Sequence, residues 1–406
     1  MKRKLFAVVL AVVMIVSVVA VLASCTKYPT PEEVKAAVEA ASNMDLAALE
    51  AAAEAEFKAA GLKFTAQATT SGVGKVLTKF KEKYAWFDYN DFSSSKDKVA
   101  SDAINSTLAN NNYYADFTMI QIAENIQTWV DAGYLYNYVP KNDDQIQLNA
   151  AATQPLVGLY ADKLFAYKKS ATTVTLTNIW QLTNVTGASL QKVKGSSIQD
   201  PNNEGINMAF MIMLTSPEAC TKLAAAYKSY TGNDYTAQTG CANIGYYFIQ
   251  EYIAALTTLH GSDSKVLSET LETDTTGTVF VVGLNKTKGY SGENWHEDLF
   301  YSGVDGDVEG YNGFTYNTYL NVPKTSRLPY TACLFARYIL TSDGFKAGWK
   351  DVGYSSPNAK VAPNTDSGAN FTYKLDVNKV LQENGQYTAE HGDDVKMFVA
   401  SKLASK

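Results

Sequence analysis

Apolar residues fall into two kinds of pattern along the chain. Positions 5 to 22 form one uninterrupted run, LFAVVLAVVMIVSVVAVL, and no later run approaches that length. From position 45 onward the pattern is periodic. Asp45 reads as an N-cap before LAALEAAAEAEFKAA, where Leu46, Leu49, Ala53 and Phe57 make a narrow apolar stripe that Gly61 terminates. LKFTAQAT then reads as a strand, and VLTKFKEKY as a helix burying Val76, Leu77, Phe80 and Tyr84. AWFDYNDF is strand-like, KVASDAINSTLANN helical, and ADFTMIQI a strand running into the helix AENIQTWVDAGYL.

The second half continues the alternation. QPLVGLYADKLFAYKK is extended, and SSIQDP leads to a helix with Asp200 as cap and Pro201 at its first position. CTKLAAAYKSYTG and NIGYYFIQEYIAAL read as helices, and GTVFVVGL as a strand. Residues 286 to 313 read as irregular loop, FTYNTYLNVP as an extended return and PYTACLFARYILTSDGFKAGW as helix. Such alternation predicts an α/β fold with mostly parallel sheets.

The opening run changes the picture of where this body resides. Lys2, Arg3 and Lys4 precede it, and Leu22-Ala23-Ser24-Cys25 closes it with small residues before a cysteine. That arrangement looks like a bacterial lipoprotein signal, with Cys25 as the lipidated first residue of the mature chain; a plain membrane anchor is the alternative. Both readings put the body outside the cytoplasm, at a cell surface or in a periplasm. Loss of residues 1–24 leaves 382 residues and takes the formal net charge from −6 to −9, against nucleic acid as a partner. Three further cysteines remain. Cys220 and Cys241 are close enough for a local disulfide or stand as two thiols, and Cys333 reads as core.

Candidate chemistry begins at TTSGVGK. A nucleotide loop requires G-x-x-x-x-G-K-[ST], but Thr69 and Val76 occupy its first and last defining positions, so this is no nucleotide site. What remains is a hydroxyl-bearing turn ahead of a helix start, suited to a polar ligand or merely to capping by Ser71. His260, His296 and His391 are scattered, and no metal or cofactor set is evident. Asp143-Asp144 and Asp393-Asp394 read as solvated pairs, and Tyr246-Tyr247 as core packing. Arg327 and Arg337 are the only mature arginines and read as structural, so an anionic ligand would rest on hydroxyls, helix N-termini and Lys75, and a neutral or cationic ligand stacked on an aromatic such as Trp180 fits at least as well. No nucleophile–base constellation marks an enzyme. A carboxylate-based exported hydrolase and a surface interaction protein without a small ligand are the alternatives.

Three segments, in order, carry a family resemblance: AEFKAAGLKFTAQATTSGVGKVLTKFKEKY, ADFTMIQIAENIQTWVDAGYLYNYVP and NVPKTSRLPYTACLFARYILTSDGFKAGW. With the lipoprotein signal they resemble bacterial ABC-transporter solute-binding proteins, most nearly the carriers of ferric iron, thiamine, phosphonates or polyamines. The resemblance implies a type II periplasmic-binding fold, a monomer of two α/β lobes joined by crossing strands, with a small solute and an ABC permease as partners. It implies lobe 1 near 61–160 after a tether and Ala-rich helix over 25–60, lobe 2 near 161–312, and a return crossing with C-terminal helices over 313–406. Thr70, Ser71, Gly72, Thr118 and Gln121 would face the cleft from lobe 1. Asp200, Asn202, Asn203 and Glu204 would face it from lobe 2, with Tyr316 near the hinge. The tandem tyrosines of iron-binding members are replaced here by Asn285 and Lys286.

Overall fold

A computed structural model describes residues 28–406 apart from 96, 122, 142, 172–173, 272–276, 292–297, 367–370, 373–375 and 377. Residues 1–24, Cys25 and His296 lie outside the described residues.

The architecture rests on two long strands, β4 (Val157–Lys168) and β9 (Gly313–Pro323), which run antiparallel from Val157 opposite Tyr319 to Leu164 opposite Gly313. Both are buried almost throughout, because each continues from one lobe into the other. Gly313 is required at their far end: it has φ +147, and a Cβ there would lie 2.2 Å from the Lys163 carbonyl oxygen.

On one side, β1 (Ala66–Ala68) pairs parallel with β2 (Phe117–Ile120), and β2 pairs with the C-terminal half of β9. Around them pack α1 (Pro31–Ser42), α2 (Leu46–Ala60), α3 (Gly72–Lys83), α4 (Asp97–Ala109), α5 (Ala123–Asp131) and, from late in the chain, α11 (Pro329–Ile339) and α12 (Ser342–Gly348). The short β3 (Leu135–Tyr136) pairs with the end of β9. This is lobe 1.

On the other side, β5 (Ser196–Gln199) pairs parallel with β6 (Leu256–His260) and β7 (Val279–Gly283), and β7 joins β4. Lobe 2 adds α6 (Gly205–Leu214), α7 (Pro217–Thr231), α8 (Ile244–Ala255), α9 (Asp263–Val266), α10 (Leu284–Ser291) and β8 (Leu299–Tyr301). The chain ends with the short strands β10 (Tyr354–Ser355), β11 (Thr365–Asp366), β12 (Phe371–Thr372) and β13 (Leu381–Gln382), then α13 (Gly385–Ala404). Helix α13 packs on α5 of lobe 1 and on α6 and α8 of lobe 2, strapping the lobes together.

The two-lobed α/β architecture with crossing strands is as expected; the mostly parallel sheet is not, because both crossing strands pair antiparallel with most of their neighbours, and several local readings are corrected. The helices over residues 31–60 pack into lobe 1 rather than preceding it. Val34, Val38, Ala41, Leu49 and Phe57 belong to the core of lobe 1, and buried Glu56 accepts hydrogen bonds from the Tyr330 and Thr331 amides at the start of α11. Burial pushes that carboxyl up to about 8. AWFDYNDF forms no strand. It touches Phe64 through one bridge at Tyr89, and its rings join the Phe57, Phe64 and Phe80 cluster. Part of the expected loop over 286–313 is ordered as α10 and β8. Strand β6 was hidden behind α8 because the helix passes directly into it.

Buried Arg337 pairs with Asp143 at 2.5 Å, so Asp143 is a structural counter-ion rather than a solvated acid. Cys220 and Cys241 are separate thiols: Cys220 donates to the Thr215 carbonyl, and Cys241 faces Gln250. Trp180 is fully buried in lobe 2 with its indole N–H on the Leu223 carbonyl, so it is not available to stack on a ligand.

Candidate functional site

The carboxyl ends of β1, β2 and β5 converge on a cavity of about 940 Å3 between the lobes. Open α/β sheets place ligands at this end, because successive strand-to-helix turns leave backbone and side-chain polar groups pointing into the crevice. Lobe 1 contributes Thr69 after β1, Gln121 after β2, Ser101 and Asp102 from α4, and Asn125 from α5. Lobe 2 contributes the turn Pro201–Glu204 and the apolar face of α6, including Ile206, Met208 and Ile212. Glu383 and the α13 residues Thr388, Lys396 and Met397 complete the wall.

Each wall is locally built. The Asp200 carboxylate accepts from the Asn202 amide at 2.9 Å and the Asn203 side chain at 2.8 Å, folding residues 201–203 into a turn. The helix therefore starts at Gly205, with Glu204 as its cap through the Ile206 amide, and not at Pro201 with Asp200 as cap. Opposite, the Asn125 side chain donates to Ser101 at 3.1 Å. Thr69 Oγ1 is buried without a hydrogen-bond partner on the cavity wall, where a ligand polar group would satisfy it.

The deepest feature is ionic. Lys163, on crossing strand β4 and 2% exposed, places Nζ 2.9 Å from Asn207 Oδ1, 3.2 Å from Asp263 and 3.3 Å from Glu204. A cavity-wall residue is thus tied directly to a strand that passes between the lobes. The neighbouring Asp162 accepts from Thr315 Oγ1 at 2.5 Å while its other oxygen has no partner, and burial pushes its carboxyl up to about 7. Glu383, which lines both this cavity and a second of about 480 Å3, accepts from the Asn317 amide and the Tyr319 hydroxyl.

Of the residues named from sequence, Gln121, Asn202, Asn203 and Glu204 line the cavity together. The others do not. Thr70 turns away and accepts from the Trp349 indole N–H at 3.0 Å, and Ser71 is exposed and makes no side-chain cap. Gly72 is buried under the Trp349 ring, with which an added Cβ would collide at 2.6 Å. Thr69, one residue before the turn named from sequence, is the hydroxyl that lines the cavity. Thr118 is buried in the sheet, donating to the Asn321 carbonyl. Asp200 acts behind the wall, through its turn. Tyr316 is buried beside Ala161 on the crossing strands, where burial holds its phenol well above the usual value. Sequence reading missed Asp102, Asn125, Lys396 and Met397. Their helices were visible in part, but which face meets the other lobe depends on how the lobes pack.

Among the described residues no group of three His, Cys, Asp or Glu is placed to hold a metal ion, and no helix is long and apolar enough to cross a membrane. No protein-family model matches the chain, and no curated protein matches its sequence. Solved structures do match. A ferric binding protein from Campylobacter jejuni superposes with TM-score 0.55 at 13% identity, over 84% of this chain and 99% of that one. The periplasmic binding protein AfuA from Actinobacillus pleuropneumoniae, with fructose-6-phosphate bound, gives 0.56 at 15%, over 84% and 98%. An ABC transporter structure from Clostridium perfringens gives 0.55 at 13%, over 84% and 99%. The chain therefore has the two-lobed type II periplasmic-binding fold.

Proposed function

We propose that the protein is the extracytoplasmic solute-binding component of an ABC importer, lipid-anchored through Cys25. The observation that carries this reading is the polar cavity between two lobes that are joined by crossing strands. Gln121 and Asn125 on one wall and Asn202 and Asn203 on the other offer donors and acceptors to a single small molecule. A solute touching both walls stabilises the closed arrangement over the open one, and the permease reads closure. The protein needs no chemistry to do this. Of the wall carboxylates, Glu204 pairs with Lys163 and Glu383 accepts from crossing strand β9.

The solute is polar and neutral or cationic. The cavity wall holds three carboxylates, Asp102, Glu204 and Glu383, against one cation, Lys396, and no arginine, because Arg337 is buried against Asp143 and Arg327 lies on the Tyr113 ring. Ferric ion and fructose-6-phosphate belong to the similar structures; the wall here carries neither a metal-ligating set nor an arginine for phosphate.

A thermal-shift screen over sugars, polyamines, thiamine, phosphonates and Fe(III), with mass spectrometry of the recovered solute, tests the reading. One chemical class raises the melting temperature and is recovered intact. Turnover of the solute, or stabilisation by none of the classes, would refute it.

A further inference from the structure

We propose that α13 is the gate of the cleft: it travels with lobe 2, and the seam between α13 and α5 of lobe 1 parts to admit the solute. The proposal rests on the reading of the cavity of about 940 Å3 as a solute site.

Helix α13 touches both lobes, but its two contacts differ in kind. Val395 and Val399 are buried in the core of lobe 2, with Tyr387, Phe398 and Leu403 packed against the same core. The Phe398 ring lies 4.9 Å from that of Tyr246 on α8, edge to face. Polar groups are tied there too. The Tyr387 hydroxyl lies 3.0 Å from Thr215 Oγ1, Lys402 donates to Gln250 at 2.7 Å, and Lys406 donates to the Ile253 carbonyl at 2.9 Å. Apolar burial of this kind fixes the helix to lobe 2.

Toward lobe 1 the same helix presents Gly385, Gln386, Ala389 and Glu390, and α5 presents Gln127, Thr128 and Asp131. The longer of these side chains bond within their own helices, Gln127 to Asp131 at 2.8 Å and Gln386 to Glu390 at 2.9 Å. Between the two helices lies the second cavity, of about 480 Å3. Asp131, Glu383 and Glu390 line it and, among the described residues, no lysine, arginine or histidine does, so closing the seam gathers like charges. A polar, loosely filled seam parts before an apolar one, because its separation brings little apolar surface into water.

The seam also bounds the solute cavity. Asn125 of α5 lines that cavity, as do Thr388, Lys396, Met397 and Ala400 of α13, and Glu383, just before α13, lines both cavities. Parting α13 from α5 therefore joins the two and opens the solute cavity along the helix pair. In the closed arrangement Thr69 Oγ1 lies on the cavity wall yet is sealed from solvent. A probe at that position reacts only when the lobes separate.

The test uses the chain from residue 25 onward carrying Thr69→Cys and Asp131→Lys, without solute. Asp131 is exposed and ends α5, where a cation suits the helix dipole, so the fold is retained. A water-soluble carbodiimide couples the introduced amine to a carboxylate across the seam, Glu390 or Glu383. An amide forms, and the carbodiimide takes up the lost water as a urea. The coupled product is identified by the peptide that joins α5 to α13. A charged methanethiosulfonate then reads access to position 69 by peptide mass. Uncoupled protein is expected to react, and coupling to slow the reaction by roughly tenfold or more, since a minor open state holds at most about a tenth of the molecules. An equal rate before and after coupling would show α13 riding with lobe 1. No reaction before coupling would show that the lobes stay shut without solute. Either result overturns the gate. No solute enters this measurement, so a gate that behaves as described while the solute screen stays empty would overturn the transport reading alone.

Discussion

Replacing Lys163 with methionine removes the ammonium that ties β4 to the cleft wall while keeping most of the side chain's bulk. The structure sets the magnitude. The Lys163 side chain is 2% exposed, with carboxylates at 3.2 and 3.3 Å from Nζ whose side chains are each 16% exposed. Removing one partner of a buried ion pair costs about 3–5 kcal/mol, because the charge left behind has neither water nor a counter-ion. Glu204 and Asp263 recover part of their hydration through their own exposure, so about 3 kcal/mol is expected for K163M. With a urea dependence of about 3 kcal/mol per molar, the midpoint of lobe 2 unfolding falls by about 1 M. Equilibrium urea denaturation followed by far-UV circular dichroism measures it. The triple variant K163M/E204Q/D263N removes the stranded charges and should regain more than half of the loss. A K163M midpoint within 0.3 M of the parent, or a triple variant no more stable than the single, would refute the account of this cluster.

Other consequences are simpler to state. Asn202→Ala and Gln121→Ala should each weaken the solute found by screening roughly tenfold, near 1.4 kcal/mol, with the unliganded melting temperature unchanged, whereas Ser71→Ala should leave affinity alone; titration calorimetry distinguishes these outcomes. Gly72→Ala forces a methyl against Trp349 and the Gly348 carbonyl, and should cost about 1–3 kcal/mol with an altered near-UV tryptophan spectrum. Asp162 keeps its proton in the fold up to about pH 7, whereas the unfolded chain loses it near 4. Its contribution is thus fully present below pH 4 and declines as the pH rises through 7. Asp162→Asn should therefore flatten the fall in stability between pH 4 and 7, which pH-resolved urea titrations would detect as a change of slope.

Much of the fold was legible because local signals agreed with packing. Asp45 and Gly61 bound α2 as the cap and stop signals predict, and the two long extended segments were recognisable as crossings by their length. The errors share a cause, the priority of tertiary contacts over local pattern. AWFDYNDF alternates like a strand, yet its rings are taken by the aromatic cluster of lobe 1. Pro201 is well suited to a helix start, yet the Asp200 side chain closes a turn and delays the helix to Gly205. In the candidate site, the lobe 2 turn was legible because its polar residues are consecutive. The hydroxyl turn of lobe 1 was displaced by one residue, because Trp349, almost 280 positions away, claims Thr70. Lys163 gave no signal at all. Its partners come from the starts of two separate helices, and only the folded chain brings them to one point.

Small-angle scattering on the purified protein, with and without the stabilising solute, tests lobe capture most directly. If the solute bridges Gln121 and Asn125 to Asn202 and Asn203, the radius of gyration falls on saturation. Asn202→Ala, at the same solute concentration, shows a smaller change that recovers when more solute is added. A solute that binds tightly yet leaves the scattering curve of the parent protein unchanged would contradict closure across this cleft.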